Sequence, residues 1–317
     1  MTTPVSVDAL AVLIKPESVR GTDAEPVPGA DAVRVVGLTW TNTDHDFHFP
    51  NTREDVNSGT LLPPPPGTPE GEIVTFRLTV EFKGVTTAIS ASNKPESGPA
   101  WRASAYSETL DLTGGSETVT YAPASSGHES ATVYIYQAGT LWKLVGGVCG
   151  TTIVAAAGNI LRIEQEWSAQ LLTITAAAVP GGLVFDDTEA PNVVDSGLTV
   201  GAWSPDFQEF RLRTNPTLQL LESGNAADGL LGYFISKHNP EIEIQGLVDA
   251  LGTYDPYADR RAGTARDIDV QWGSTQYAMP EIQATGCIPT AIRHADHNTF
   301  TAYTVTYRVA GLSVIVS

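Results

Sequence analysis

The stretch that decides the fold runs from Ala131 to Thr175 and reads ATVYIYQAGTLWKLVGGVCGTTIVAAAGNILRIEQEWSAQLLTIT. β-branched and aromatic residues fill it, as is typical of strands. Two turn signals divide it, one around Gly139 and one at Gly158-Asn159, where glycine and asparagine tolerate positive φ. The pattern predicts a four-strand antiparallel meander, with glycines punctuating the strand around Cys149.

A second stretch, from Ile268 to Ala310, repeats this order of strand and turn signals. In this alignment Gly286-Cys287 corresponds to Val148-Cys149, and the two cysteines lie 138 positions apart. We expect the two cysteines to be equivalent core thiols rather than partners in a disulfide, because they occupy corresponding places in the two repeats and the expected compartment, the cytosol, is reducing. Self-similarity of this kind predicts an internal duplication.

The upstream segments extend the match, since Val35–Trp40 resembles Leu198–Trp203 and Phe76–Phe82 resembles Pro240–Gly246. We therefore predict a mainly β fold with two tandem β-sandwich domains, each with a short flanking α-helix and a long inter-strand loop. The first domain with an N-terminal arm covers residues 1–180, a linker covers 181–192, and the second domain covers 193–317.

Two short helices and two long connections complete the pattern. Pro99–Tyr106 and Asp255–Gly263 have helix signals, the second with an N-cap Asp, a Pro at the first helical position and a closing Gly. The segments Asn42–Gly71 and Pro205–His238 have little regular pattern and exceed the usual length of a structureless loop. We expect both to be mobile in a free subunit and ordered by a neighbour.

Composition excludes several classes of function. The chain has 317 residues, with 36 acidic and 18 basic side chains and a formal net charge of −18. A surface that grips duplex DNA needs clustered Lys and Arg, and the sequence has no such cluster. The acidity fits either a well-hydrated surface or a functional acidic wall. Without a long apolar run or a signal peptide, we expect synthesis in the cytosol and no membrane anchor.

No motif in the sequence indicates catalysis, a metal or a cofactor. Asp44–His48 and His294–His297 carry histidines beside carboxylates but lack a second, distant ligand set. Neither a nucleophile elbow nor a phosphate-binding loop is present, and Cys149 has no histidine nearby in sequence. Three carboxylate pairs at i, i+2 spacing predict an acidic sheet face rather than one active site; they are Glu164 and Glu166, Glu241 and Glu243, and Asp267 and Asp269.

Four segments resemble the major tail tube proteins of long-tailed bacteriophages. They are Thr118–His128, Ser130–Tyr136, Leu141–Leu144 with its Gly-rich continuation, and Tyr254–Thr264. The resemblance implies a β-sandwich with a short helix, assembled into rings that stack as a tube through which DNA leaves the capsid. Many members carry one such domain per chain, so two domains imply a homotrimeric ring of pseudo-sixfold symmetry.

The resemblance also implies partners and a location. It implies a subunit made in the host cytoplasm and built into the virion tail, with contacts to tail terminator, tape measure and baseplate proteins. Double-stranded DNA passes through without specific binding, past a channel wall that we expect to be acidic and built from the three carboxylate pairs. Candidates for contacts between subunits or rings lie in the two long connections: Asp44, Phe47, Phe49, Arg53, Leu61, Leu62, Phe207, Arg211 and Arg213.

Other functions remain open from the sequence. A tail terminator or baseplate ring protein shares the same fold. A carbohydrate-binding adhesin with a β-sandwich is also acidic and non-catalytic, and is distinguished by exposed aromatic residues along a groove. A glycosidase needs a single carboxylate pair in a cleft.

Overall fold

The structure, a computed structural model, describes residues 10–41, 46–48, 70–225, 229–247, 253–297 and 300–317. This part of the chain is mainly β, as predicted, with 19 strands and two short helices. The first nine strands are β1 (Leu10–Pro16), β2 (Ala32–Val33), β3 (Val35–Trp40), β4 (Asp46–His48), β5 (Glu70–Glu81), β6 (Tyr106–Asp111), β7 (Thr118–Pro123), β8 (Ala131–Gln137) and β9 (Thr140–Ala156). They are followed by β10 (Arg162–Ala176), β11 (Thr199–Val200), β12 (Phe207–Arg213), β13 (Pro216–Glu222), β14 (Leu230–His238), β15 (Glu241–Leu247), β16 (Arg266–Gln271), β17 (Pro280–His297), β18 (Phe300–Arg308) and β19 (Gly311–Val316). The helices are α1 (Gly98–Ala103) and α2 (Pro256–Ala262).

Eight strands form a central antiparallel sheet in the order β3-β5-β10-β9-β12-β15-β18-β17. The first four strands in this order are called the first unit, and the last four the second unit. The order of the strands in the sheet relates to their order in the sequence in the same way in both units. In each unit the first strand pairs with the second, the second with the last, and the last with the third. The two units meet edge to edge where β9 pairs with β12.

The irregularities of the two units also correspond. A bulge at residues 35–37 interrupts the pairing of β3 with β5, and one at residues 207–209 interrupts β12 with β15. In register, Val35–Trp40 therefore corresponds to Phe207–Leu212. The predicted match to Leu198–Trp203 is wrong, because that segment holds β11 and pairs with β16 instead. The match of β5 to β15 is shifted by two residues, since Phe76 corresponds to Ile242.

A second shared irregularity lies where β9 and β17 each change partners. Two residues of β9 oppose one residue of β8 just before Gly147, and two residues of β17 oppose one of β16 just before Cys287. Each bulge contains a left-handed glycine, Gly146 with φ 62° and Gly286 with φ 65°. The equivalent of Gly286 is thus Gly146, and Cys287 corresponds to Gly147. The two cysteines are both buried but are not at equivalent positions.

The two halves of the chain are not separate in space. The β6–β7 hairpin of the first half extends the sheet of the second half, because β7 pairs with β19. One hydrophobic cluster contains buried residues of both halves, with Trp101 and Trp167 from the first and Phe210 and Trp272 from the second. The predicted domain boundary, the sandwich and the duplication stay predictions; the repeated strand order favours the duplication.

Several predicted elements differ in extent. The glycines near Cys149 do not end a strand, so the predicted meander has three long strands, β8, β9 and β10, in place of four. Both predicted short helices are present, and in α2 the Asp255 side chain accepts hydrogen bonds from two backbone N–H groups while Gly263 closes the helix at φ 66°. No described helix is long and apolar enough to cross a bilayer.

The prediction for Pro205–His238 is wrong, because this segment holds β12 and the β13–β14 hairpin. Its alternation was visible in Phe207–Arg213, where the buried Phe210 and Leu212 alternate with Arg211 and Arg213. The predicted loop Asn42–Gly71 lies largely outside the described residues, apart from β4 and the start of β5.

Candidate functional site

The central sheet has one apolar face and one polar face, because successive side chains of a strand point to opposite sides. In β5, Phe76, Leu78 and Val80 are buried in the core. The residues between them, Arg77 and Thr79, lie on the other side and stand opposite Glu166 and Glu164 of β10. The same alternation continues across all eight strands, so the polar side chains share one surface, here called the polar face.

Within the described residues of the eight central strands, the charged side chains of the polar face are all arginine or glutamate. Register places them on this side through their cross-strand partners. They are six arginines, Arg77, Arg162, Arg211, Arg213, Arg293 and Arg308, and six glutamates, Glu81, Glu164, Glu166, Glu209, Glu241 and Glu243. The formal charge of these residues is therefore zero.

Opposite charges face each other across neighbouring strands. The Arg77 guanidinium lies 3.2 Å from a Glu166 oxygen, and both side chains are more than half exposed. The Arg213 guanidinium lies 3.3 Å from a Glu243 oxygen, and here both side chains are only about 30% exposed, at 31% and 28%. Arg211 forms an ion pair with Glu209 on its own strand and stands opposite Glu243. Cross-strand pairs of opposite charge stabilise a sheet modestly.

A groove crosses the middle of the polar face above β9 and β10. Its floor is made of small residues, Gly150 and Thr152, and its sides carry Arg77 and Glu166 at one end and Arg213 at the other. None of the described lining residues is aromatic. The feature that distinguishes a carbohydrate-binding groove is thus missing from this groove.

The β13–β14 hairpin of the second half closes one end of the groove by packing on the first half. A Cβ on Gly150 would lie 3.2 Å from the Pro216 ring, so a glycine lets the start of β13 approach β9 this closely. The Arg20 guanidinium donates a hydrogen bond to the Tyr233 carbonyl over 2.8 Å and lies 4.3 Å above the Phe234 ring. These contacts fix the hairpin against the first half of the chain.

The two outer edges of the central sheet have no further strand among the described residues. Within the described parts of the chain, β3 pairs only with β5, and residues 288–297 of β17 pair only with β18. Their equivalents inside the chain are β12 and residues 148–156 of β9, and those two strands pair with each other. The two open edge strands are therefore the equivalents of the two strands that pair with each other and join the units in the middle of the sheet.

No protein-family model and no curated protein sequence matches the chain.

The predicted wall residues fall into two groups. Glu164, Glu166, Glu241 and Glu243 come together on the polar face. Asp267 and Asp269 lie on β16, which is not part of the central sheet, and Asp267 accepts a hydrogen bond from the Gly286 N–H. The expected acidic face is not found on the central sheet, because six arginines accompany the glutamates there. For Arg211 and Arg213, the sequence signal was their alternation with the apolar residues Phe210 and Leu212.

The β16 aspartates form a distinct, acidic environment. Partial burial, together with the neighbouring carboxylates of Asp267 and Glu281, raises the pKa of Asp269. The predicted contact residues Phe207, Arg211 and Arg213 lie in β12 in the middle of the central sheet, and not in a loop. Phe47 falls in β4, and the remaining candidates lie outside the described residues: Asp44, Phe49, Arg53, Leu61 and Leu62.

The described residues contain no cluster of three or more His, Cys, Asp or Glu side chains that could hold a metal ion. Cys149 and Cys287 are free, buried thiols, and burial raises the pKa of each to about 12. A thiol with so high a pKa is almost entirely protonated at neutral pH, so neither is an activated nucleophile.

Proposed function

We propose that the chain is the ring-forming subunit of a phage tail tube, and that its polar face lines the channel for DNA. The observation that carries the proposal is the joint between β9 and β12, together with the two open edges of the same kind. An open sheet edge is a template for another strand. A second copy of the chain can therefore repeat the internal joint at either edge, and closed symmetry ends the repetition.

The internal joint fixes the register expected between copies. In the joint, Arg213 stands opposite Thr152. By the correspondence of the units, Arg213 matches Thr41 and Thr152 matches Arg293. We therefore expect Thr41 of one chain to stand opposite Arg293 of the next.

Three chains with two units each give a ring of pseudo-sixfold symmetry. Stacked rings form the tube, and the subunit belongs to the virion tail after its synthesis in the host cytoplasm. Tail terminator, tape measure and baseplate proteins are its partners, and double-stranded DNA passes without specific binding. The tail-tube resemblance of the four segments and the long polar face support this reading.

A disulfide between copies tests the expected register. The Thr214 N–H donates to the Thr151 carbonyl over 3.0 Å, so the adjacent pair Arg213 and Thr152 is of the non-hydrogen-bonded type, whose side chains are closest. Thr41→Cys with Arg293→Cys should thus give chains linked in a closed set of three on a non-reducing gel. The native thiols are buried and should not compete.

The matched control combines Thr41→Cys with Arg308→Cys, because Arg308 lies on the same face but one strand in from the edge. This pair should give no linked species. Native mass spectrometry should show three chains per ring, and negative-stain microscopy should show long tubes of uniform width. A monomer that never assembles, or six chains per ring, would falsify the proposal; single rings without tubes would indicate a terminator or baseplate protein.

A further inference from the structure

Resting on the proposed function, we infer that the polar face passes double-stranded DNA because each of its inner arginines is masked by a glutamate. The wall is charge-balanced rather than acidic. The glutamates act by holding arginines away from phosphates, and removing them turns the same face into a DNA-binding surface.

The register gives five of the six arginines a glutamate partner. Arg77 and Arg213 are bonded to Glu166 and Glu243. Arg211 is bonded to Glu209, while Arg162 stands opposite Glu81 and Arg308 opposite Glu241. The sixth, Arg293, lies on β17, the strand that forms the open edge, and stands opposite Thr304 of β18.

The balance is reached with different residues in the two units. Arg77 of β5 corresponds to Glu243 of β15, and Glu166 of β10 corresponds to Thr306 of β18. The first unit contributes two arginines and three glutamates, and the second contributes four arginines and three glutamates. Because equivalent positions differ in charge while the total is zero, the balance does not follow from the repeat alone.

The rest of the chain differs sharply from this face. The polar face holds six of the 36 acidic and six of the 18 basic residues, so the net charge of −18 lies entirely on other parts of the sequence. An arginine in a polar face can bind DNA phosphate and release counterions. With a carboxylate about 3 Å away, as at Arg213 and Glu243, the fields of the two groups nearly cancel at an approaching phosphate.

The test uses purified full-length chain and a short duplex DNA of arbitrary sequence, with binding followed by fluorescence anisotropy. Glu166→Gln with Glu243→Gln keeps the side-chain shape and removes two masking charges. The variant should bind the duplex more tightly than the unchanged chain. Two newly available phosphate contacts should add about 2 to the salt slope, which is roughly a tenfold greater loss of affinity between about 50 and 200 mM salt.

The matched control, Asp267→Asn with Asp269→Asn, makes the same change in net charge on β16. It should bind DNA no better than the unchanged chain. Adding Arg77→Gln and Arg213→Gln to the glutamate variant should abolish its gain. Equal binding by the control, or no gain in the glutamate variant, overturns the inference.

Folding of the variants is checked by circular dichroism. Should the double variant unfold, Glu166→Gln alone decides, because that pair is more than half exposed and contributes little to stability; its expected change in salt slope is about 1. The measurement needs no ring. If the DNA-binding test fails, the result of the disulfide test for the ring still stands. If the ring does not form, the DNA-binding result can still be interpreted.

Discussion

The first strand of each unit has the same place in the sheet but a different environment. β12 lies between β9 and β15, and its Phe210 is fully buried against Trp272. Among the described residues β3 pairs with β5 on one side and has no strand on the other, and its Leu38, which corresponds to Phe210, is half-buried. The burial of equivalent positions therefore depends on the neighbouring strand. In the described part of the chain, Leu38 lacks the second neighbouring strand that β9 provides beside Phe210.

Truncation of Phe210 and of Leu38 should have very different consequences for stability. Phe210→Ala should lower the free energy of unfolding by about 3–5 kcal/mol, because it opens a cavity in the core. Leu38→Ala should cost less than half as much in the isolated subunit but should prevent assembly of rings. Denaturant titration measures the first difference and native mass spectrometry the second. Equal costs in the isolated subunit would show that Leu38 is already fully packed.

The two glycine bulges offer a second, smaller comparison. Alanine at Gly146 or Gly286 must adopt a left-handed conformation, which costs roughly 1–2 kcal/mol. At Gly286 the new Cβ would also lie 2.9 Å from the Ala310 Cβ, whereas at Gly146 the nearest atom is the end of the Gln170 side chain at 3.4 Å. Gly286→Ala should therefore lower the midpoint of thermal unfolding more than Gly146→Ala. The reverse order would show that the close approach of Ala310 does not add to the cost at Gly286.

A small, pH-dependent effect on stability is expected at the β13–β14 hairpin, which in the described chain only the second unit has. His238 of β14 packs against the Tyr106 ring of the first half, with 5.4 Å between centroids. Burial, with His128 nearby, lowers the pKa of His238. The unfolded chain then binds a proton more readily, so stability falls as the pH drops below about 6.5 toward the lowered pKa.

His238→Gln removes this proton binding. The variant should show a flatter decline of the thermal midpoint between neutral and mildly acidic pH than the unchanged chain, and the carboxylates, being common to both, cancel in the difference. Identical slopes would mean that His238 has the same pKa in the folded and unfolded states.

The sequence was sufficient for the local elements with strong signals. The alternation in β5 predicted a strand with one buried face, and the Asp255, Pro256 and Gly263 pattern predicted α2. These features follow from the period of side chains along a strand and from capping of backbone groups, which depend only on residues close in sequence.

Register and partners came only from the tertiary structure. The sequence aligned Cys149 with Cys287, while the bulges align Gly146 with Gly286, because an extra residue in a strand shifts every later pair and leaves no mark in composition. Sequence reasoning also identified the carboxylates without their arginine partners, since Glu166 and Arg77 are 89 positions apart in the chain and meet only across paired strands. By itself the sequence determined a β-rich and acidic chain, and it predicted an internal repeat. The pairing of distant strands decided that its central face carries no net charge, because only cross-strand register brings opposite charges together.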